Sequence, residues 1–218
     1  MFAAATDPLI VGASNVVLVV SIIGTVAFAL SGVMAATEAG MDWLGGVVLA
    51  VVAAIGGGTI RDLLIDSDVF WVSDEWPLVV SLVTAAMAIV VLRARPSADP
   101  RRASWYVASD AVGLGAFSVV GTSIALDAGT SYFIAAFMGV VTGVGGGVLR
   151  DVFARRTPIV FVGEIYAVAG LIGVLAHLAL VEANAGDVAT LWIPLAVVVA
   201  VRAVAVRWSW RLPRLTRG

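Results

Sequence analysis

Residues 50–65 read Ala-Val-Val-Ala-Ala-Ile-Gly-Gly-Gly-Thr-Ile-Arg-Asp-Leu-Leu-Ile, and residues 139–154 read Gly-Val-Val-Thr-Gly-Val-Gly-Gly-Gly-Val-Leu-Arg-Asp-Val-Phe-Ala. Each apolar stretch holds three consecutive glycines followed at the same spacing by an Arg-Asp pair. In the first, Gly56, Gly57 and Gly58 precede Arg61 and Asp62; in the second, Gly145, Gly146 and Gly147 precede Arg150 and Asp151. A glycine triplet costs a helix roughly 3 kcal/mol relative to alanine, and charge inside a bilayer costs more. The pattern therefore opposes structural economy, and points to a site.

The two motifs lie 89 residues apart, and that offset extends beyond them. Gly24 meets Gly113, Ala27-Phe28 meet Ala116-Phe117, Gly32 meets Gly121, Ala39-Gly40 meet Ala128-Gly129, and Glu75 meets Glu164. A common offset through the rarer Phe, Arg, Asp and Glu residues marks an internal repeat.

Of the 218 residues 61% are hydrophobic and 13% charged, and the mean hydropathy is +1.06. That balance is far from the soluble one and marks an integral membrane protein. A bilayer core of about 30 Å takes about 20 apolar residues per helix, which predicts seven spans near residues 15–36, 43–65, 77–93, 105–126, 131–154, 161–181 and 188–207. Each repeat then holds three spans. An odd number sends the second copy through the membrane in the opposite sense, giving an inverted repeat.

The expected fold is an all-α integral membrane protein of seven transmembrane helices, a three-plus-three inverted repeat plus a seventh. It forms one transmembrane domain over residues 1–218, with repeat 1 at about 15–93, repeat 2 at about 105–181 and the extra helix at about 188–207. The second and fifth helices are expected to be broken or kinked at the glycines.

All thirteen basic residues are arginine. Arg93, Arg95, Arg101 and Arg102 flank one connection, Arg155 and Arg156 another, and Arg207, Arg211, Arg214 and Arg217 crowd the C-terminus. The opposite loops hold Asp66, Asp68, Asp74, Glu75, Asp127, Glu182 and Asp187. The positive-inside rule then places the N-terminus outside and the C-terminus in the cytoplasm. No basic segment precedes the first apolar run, so no cleaved signal peptide is expected. Trp43, Trp71, Trp76, Trp105, Tyr132, Tyr166, Trp192 and Trp208 fall near span ends and are expected at the headgroup boundary.

Each motif has a plain structural alternative. Ala50, Ala54 and Gly58, like Gly139, Gly143 and Gly147, recur every four residues, the spacing that lets membrane helices approach closely. Packing explains one glycine per turn but not three in a row, because consecutive residues point around the helix; a backbone break is the preferred reading. The Arg-Asp pairs could snorkel as interfacial caps or lie deeper beside a polar path. Adjacent helix residues do not face each other, so the expected pairing is crossed, Arg61 with Asp151 and Arg150 with Asp62. Asp110 is a partner for a buried arginine, a cation site, or a residue preceding its helix. Thr59 and Thr142 are possible ion-ligand hydroxyls, although bonding back to their own helices is the default. His177 is assigned no role.

The chain has no cysteine and a single histidine, and its sequence contains no lysine. A phosphate-binding loop with its lysine, a thiolate metal site and a catalytic triad all lack their residues. The reading is therefore not an enzyme, with no cofactor, no metal beyond passing K+ or Na+, and no nucleic-acid partner. Membrane lipids are the expected surroundings.

With its doubled Gly-Gly-Gly-x-x-Arg-Asp motif, the chain resembles the prokaryotic branch of the trimeric intracellular cation channel family. The resemblance implies a homotrimer with one pore per subunit, kinked second and fifth helices at Gly56–Gly58 and Gly145–Gly147, and conduction of monovalent cations, K+ above all. Arg61, Asp62, Arg150, Asp151 and Asp110 would form its pore or charge network. The alternative is a secondary transporter of a small zwitterionic solute such as glycine, because inverted repeats and broken helices serve alternating access equally well.

Overall fold

The computed structural model describes residues 8–94, 104–162 and 164–213. These form helices α1 (Pro8–Glu38), α2 (Trp43–Leu64), α3 (Phe70–Ser73), α4 (Trp76–Ala94), α5 (Ser104–Asp127), α6 (Tyr132–Phe153), α7 (Ala167–Glu182) and α8 (Asp187–Arg207). Six are long and apolar enough to cross a membrane: α1 from Asn15, α2, α4, α5 from Trp105, α6 and α8. The seventh, α7, has 16 residues, about 24 Å at 1.5 Å per residue. It starts at Ala167 and not near 161, because the chain first makes a 3-10 turn at Ile159–Phe161. Helix α3 lies in what the sequence presents as a loop. Arg95, Arg101, Arg102, Arg214 and Arg217 lie outside the described residues.

The offset of 89 recurs in the hydrogen bonds. Asp42 caps α2 by accepting from the Gly45 N–H at 2.8 Å, and Ser131 caps α6 by accepting from Ile134 N–H at 3.4 Å. Gly40 and Gly129 both have positive φ, at 69° and 78°, where a side chain would be strained. Asp66 and Arg155, one residue beyond the two helix C-caps, share a φ of 56°. The N-cap contacts predict unequal costs. Asp42→Ala should lower stability by about 1 kcal/mol, and Ser131→Ala by less, since its bond is longer; paired melting curves would check the order.

Helices α1, α2, α5 and α6 pack together at the centre, with α4 against α1 and α2, and α7 and α8 against α5. One apolar cluster joins Phe28 and Val33 of α1 to Ala50, Ala53 and Ala54 of α2, Ala85 of α4 and Phe117 of α5. Phe28 and Phe117, the repeat-related aromatic pair, lie 5.5 Å apart by ring centroid.

Helices α2 and α6 run without interruption through both glycine triplets. No break in the helical run occurs at either triplet, and each triplet meets neighbours on three sides. A Cβ on Gly56 would come within 2.5 Å of Leu149 Cδ1, one on Gly57 would strike the Thr142 carbonyl oxygen, and one on Gly58 would lie 2.6 Å from the Phe70 ring. The second triplet behaves alike: a Cβ on Gly145 would lie 3.1 Å from Gly57 Cα, on Gly146 it would strike the Ala53 carbonyl oxygen, and on Gly147 it would lie 2.7 Å from the Tyr166 hydroxyl. Three consecutive residues cannot share one neighbour, but here they have three different ones.

These contacts also fix direction. Ala53 meets Gly146 while Gly57 meets Thr142, so the residue number falls on α6 as it rises on α2, and the two helices cross antiparallel. That is the local signature of an inverted repeat.

Candidate functional site: two buried arginine-aspartate centres

Four residues beyond the crossing on each helix stands an arginine. Arg61, Asp62, Arg150 and Asp151 are all buried by protein, at 3%, 1%, 0% and 2% exposure, so neither pair snorkels to the headgroups. Each arginine bonds the aspartate that follows it. Arg61 Nε donates to Asp62 Oδ1 at 2.8 Å, and Arg150 Nε donates to Asp151 Oδ1 at 2.9 Å.

The crossed exchange is therefore not formed. Antiparallel crossing explains why: with Gly57 level with Thr142, Arg61 and Asp151 lie past the contact in opposite directions, about thirteen residues or about 20 Å apart along the helices. The adjacent pairing works because the aspartate is held from outside the helix. Asp62 Oδ2 accepts from the Phe70 N–H at 2.9 Å, and Asp151 Oδ2 accepts from the Ile159 N–H at 3.1 Å. The carboxylate is turned toward the segment after its helix, where the long arginine arm reaches it.

Around this shared frame the two centres differ. Arg150 also pairs with Asp110 at 2.5 Å, donates to Ser31 Oγ, and lies with its guanidinium 5.0 Å from the Tyr106 ring. The Tyr166 hydroxyl donates to Asp110 Oδ1 at 3.3 Å. Among the described residues Arg61 has only Asp62 and the Phe70 ring, at 5.7 Å. The repeat explains the difference, since Asp110 and Ser31 correspond at the offset of 89 to Ser21 and Val120, neither of which carries a negative charge.

The first centre is thus one cation and one anion, the second one cation and two anions. Among the described residues Asp110 Oδ2 is buried with no hydrogen-bond donor. Asp110 sits within α5, so it does not precede its helix.

The threonines take their default. Thr59 Oγ1 donates to Ile55 O at 2.8 Å and accepts from the Trp71 indole at 2.9 Å, while Thr142 Oγ1 donates to Met138 O at 2.6 Å. His177 is buried, with Nδ1 2.7 Å from Thr190 O and Nε2 3.1 Å from Ser123 Oγ. A carbonyl only accepts, so Nδ1 carries the proton, and the ring is satisfied. Tyr166, at the N-cap of α7, is 1% exposed, so its ring faces protein and not lipid headgroups. The sequence does not reveal that Ser31, Tyr106 and Tyr166 stand around Arg150 and Asp110, because nothing local distinguishes them. Their position relative to Arg150 depends on α1, α5 and the segment before α7 meeting at one point.

Repeated membrane helices crossing antiparallel at glycines, each ending in a buried Arg-Asp pair, define a class of inverted-repeat integral membrane protein. A family model described as "Glycine transporter" matches twice, at residues 18–93 and 107–182, and the chain belongs to that family. It is 43% identical over 196 residues to the inner membrane protein YadS of Escherichia coli K12, covering 88% of this chain and 92% of that one. A Vibrio cholerae membrane protein is 37% identical, covering 92% and 83%.

Among solved structures, the trimeric intracellular cation channel orthologue from Rhodobacter sphaeroides superposes with a TM-score of 0.81 at 32% identity, covering 89% of this chain and 99% of that one. A prokaryotic channel of the same kind, solved in 0.5 M KCl, gives 0.82 at 26% identity, covering 91% and 100%. The fold is that of the trimeric intracellular cation channels, as the sequence resemblance implies, and the chain is a prokaryotic-type membrane protein.

Proposed function

We propose that the protein is a membrane channel that conducts monovalent cations, K+ foremost, through a pathway within each subunit of a homotrimer. The observation that carries this reading is the excess negative charge around Arg150, with the buried Asp110 Oδ2 unpartnered among the described residues. A fixed anionic oxygen in a low-dielectric wall attracts cations and repels anions. The likeness to solved cation channels supports the same class.

Helix carbonyls at the glycine triplets stay within α2 and α6, so Gly56–Gly58 and Gly145–Gly147 serve as the wall where the repeats meet. Asp110 takes the place of the freed carbonyls as the oxygen ligand. Arg61 and Arg150 set the barrier on either side of the crossing. Thr59 and Thr142 keep lone pairs but lie in the wall. The arginine distribution supports a cytoplasmic C-terminus.

The description of the family favours one second reading, a secondary transporter of a zwitterion such as glycine. Arg150 would take the carboxylate, and Asp110 the ammonium group. Planar-bilayer recording of the purified protein separates the two. A channel gives unitary K+ currents whose reversal potential in a KCl gradient follows K+, and Asp110→Asn shifts that potential toward the Cl− value. Electrical silence together with saturable glycine counterflow in liposomes would overturn the channel reading.

A further inference from the structure

Helix α8 ends at Arg207, and the chain then turns back on itself. Ser209 has a φ of +52°, rare for a residue with a side chain, and the Trp210 N–H reaches back to Ala205 O at 2.8 Å. The reversal ends in a backbone bridge between Arg211 and Glu164. A cavity of about 100 Å³ lies under this turn, lined by Glu164, Arg202, Ser209, Trp210 and Arg211 with the end of α8. None of these residues belongs to the two Arg-Asp centres.

Arg202 is buried at 2% exposure. Its Nη1 and Nη2 donate to Glu164 Oε2 at 3.1 and 3.2 Å, and the Tyr166 ring lies 5.0 Å from its guanidinium. Its Nε has no acceptor among the described residues. Glu164 thus balances Arg202, and Arg211 joins no ion pair among the described residues, so the lining carries one unmatched positive charge. Trp208 and Trp210 stack at 5.8 Å and stand exposed beside exposed Leu212. Paired tryptophans next to arginine at a span end belong at the headgroup level, the depth of lipid phosphates.

We infer that this cavity binds a singly charged phosphate group, the headgroup phosphate of an acidic phospholipid or free inorganic phosphate. One unmatched positive charge fits a phosphodiester whose headgroup brings no cation of its own, such as phosphatidylglycerol, and does not favour zwitterionic phosphatidylcholine. Arg211 and the free Arg202 Nε–H supply charged donors, and Ser209 can add a hydroxyl.

Native mass spectrometry of the purified protein with short-chain phosphatidylglycerol, phosphatidylcholine or inorganic phosphate tests this directly and does not depend on conduction. Phosphatidylglycerol should be retained over phosphatidylcholine, and Arg211→Gln should cut its retention roughly fivefold, the effect of one basic residue at a membrane surface. Arg207→Gln, outside the cavity, should leave it unchanged, and Arg211→Lys should keep most of it. Displacement of the lipid by millimolar phosphate would assign the site to the free ion; no displacement would assign it to the lipid. Equal retention by the wild type and a monodisperse Arg211→Gln protein, or no preference between the lipids, would overturn the site.

Discussion

Gly57→Ala and Gly146→Ala should each prevent recovery of folded, monodisperse protein, whereas Gly46→Ala in the same α2 helix should melt at or above the wild-type temperature. The three substitutions share one intrinsic benefit: replacing a helical glycine with alanine favours the helix by about 1 kcal/mol. What differs is the neighbour. A Cβ on Gly46 would find only the end of the Ile89 side chain, at 3.4 Å, and that side chain can give way. A Cβ on Gly57 would strike the Thr142 carbonyl oxygen, and one on Gly146 the Ala53 carbonyl oxygen. A carbonyl within a helix has no rotamer to change, so α2 and α6 must move apart along their length. Overpacking of this kind costs about 3 kcal/mol or more, a large part of the stability of a small domain. Size-exclusion profiles and melting curves decide it. Wild-type behaviour of Gly57→Ala would mean the two backbones do not meet there.

The contrast between Gly46 and Gly57 also shows what could be read in advance. Spans follow from unbroken apolar runs bounded by Trp, Arg and acidic residues, and their ends land within a few residues of the helix ends, the starts of α1 and α7 excepted. The repeat follows from the offset of 89, which carries through to the caps at Asp42 and Ser131 and to the Asp62 and Asp151 bonds. The role of the triplets did not follow. Consecutive glycines look like a break when only one neighbouring helix is imagined, and Leu149, Thr142 and Phe70 come together around α2 only in three dimensions.

The unequal charge of the two centres was legible without being read, because the same offset aligns Asp110 with Ser21. The crossed pairing was the reverse case. Inversion suggests an exchange of partners, but an antiparallel crossing through the glycines moves Arg61 and Asp151 apart. Arg202 carried the same signal as the motif arginines, a charge within an apolar span, but it lies outside both repeats, so no matching copy set it apart.

The unequal centres imply unequal costs for losing their arginines, and Arg150→Gln should be the most damaging single side-chain truncation in the protein. Arg150 is fully buried and is the only cation bonded to Asp110 among the described residues. Removing it leaves two carboxylates, Asp110 and Asp151, without their positive partner. Breaking a buried ion pair in this way costs about 3–5 kcal/mol, mostly for the stranded charge. Arg61→Gln strands only Asp62, which keeps the Phe70 N–H at 2.9 Å, and should cost visibly less. The mechanism makes a sharper demand on the double variant. If the damage comes from stranded charge, Asp110→Asn in the Arg150→Gln background should recover part of the loss, although Asp110→Asn alone lowers stability. A double-mutant cycle on melting or denaturant midpoints measures that coupling. Additive losses would mean that Arg150 acts through packing on Tyr106 and Ser31, and would remove the charge imbalance on which the cation pathway rests.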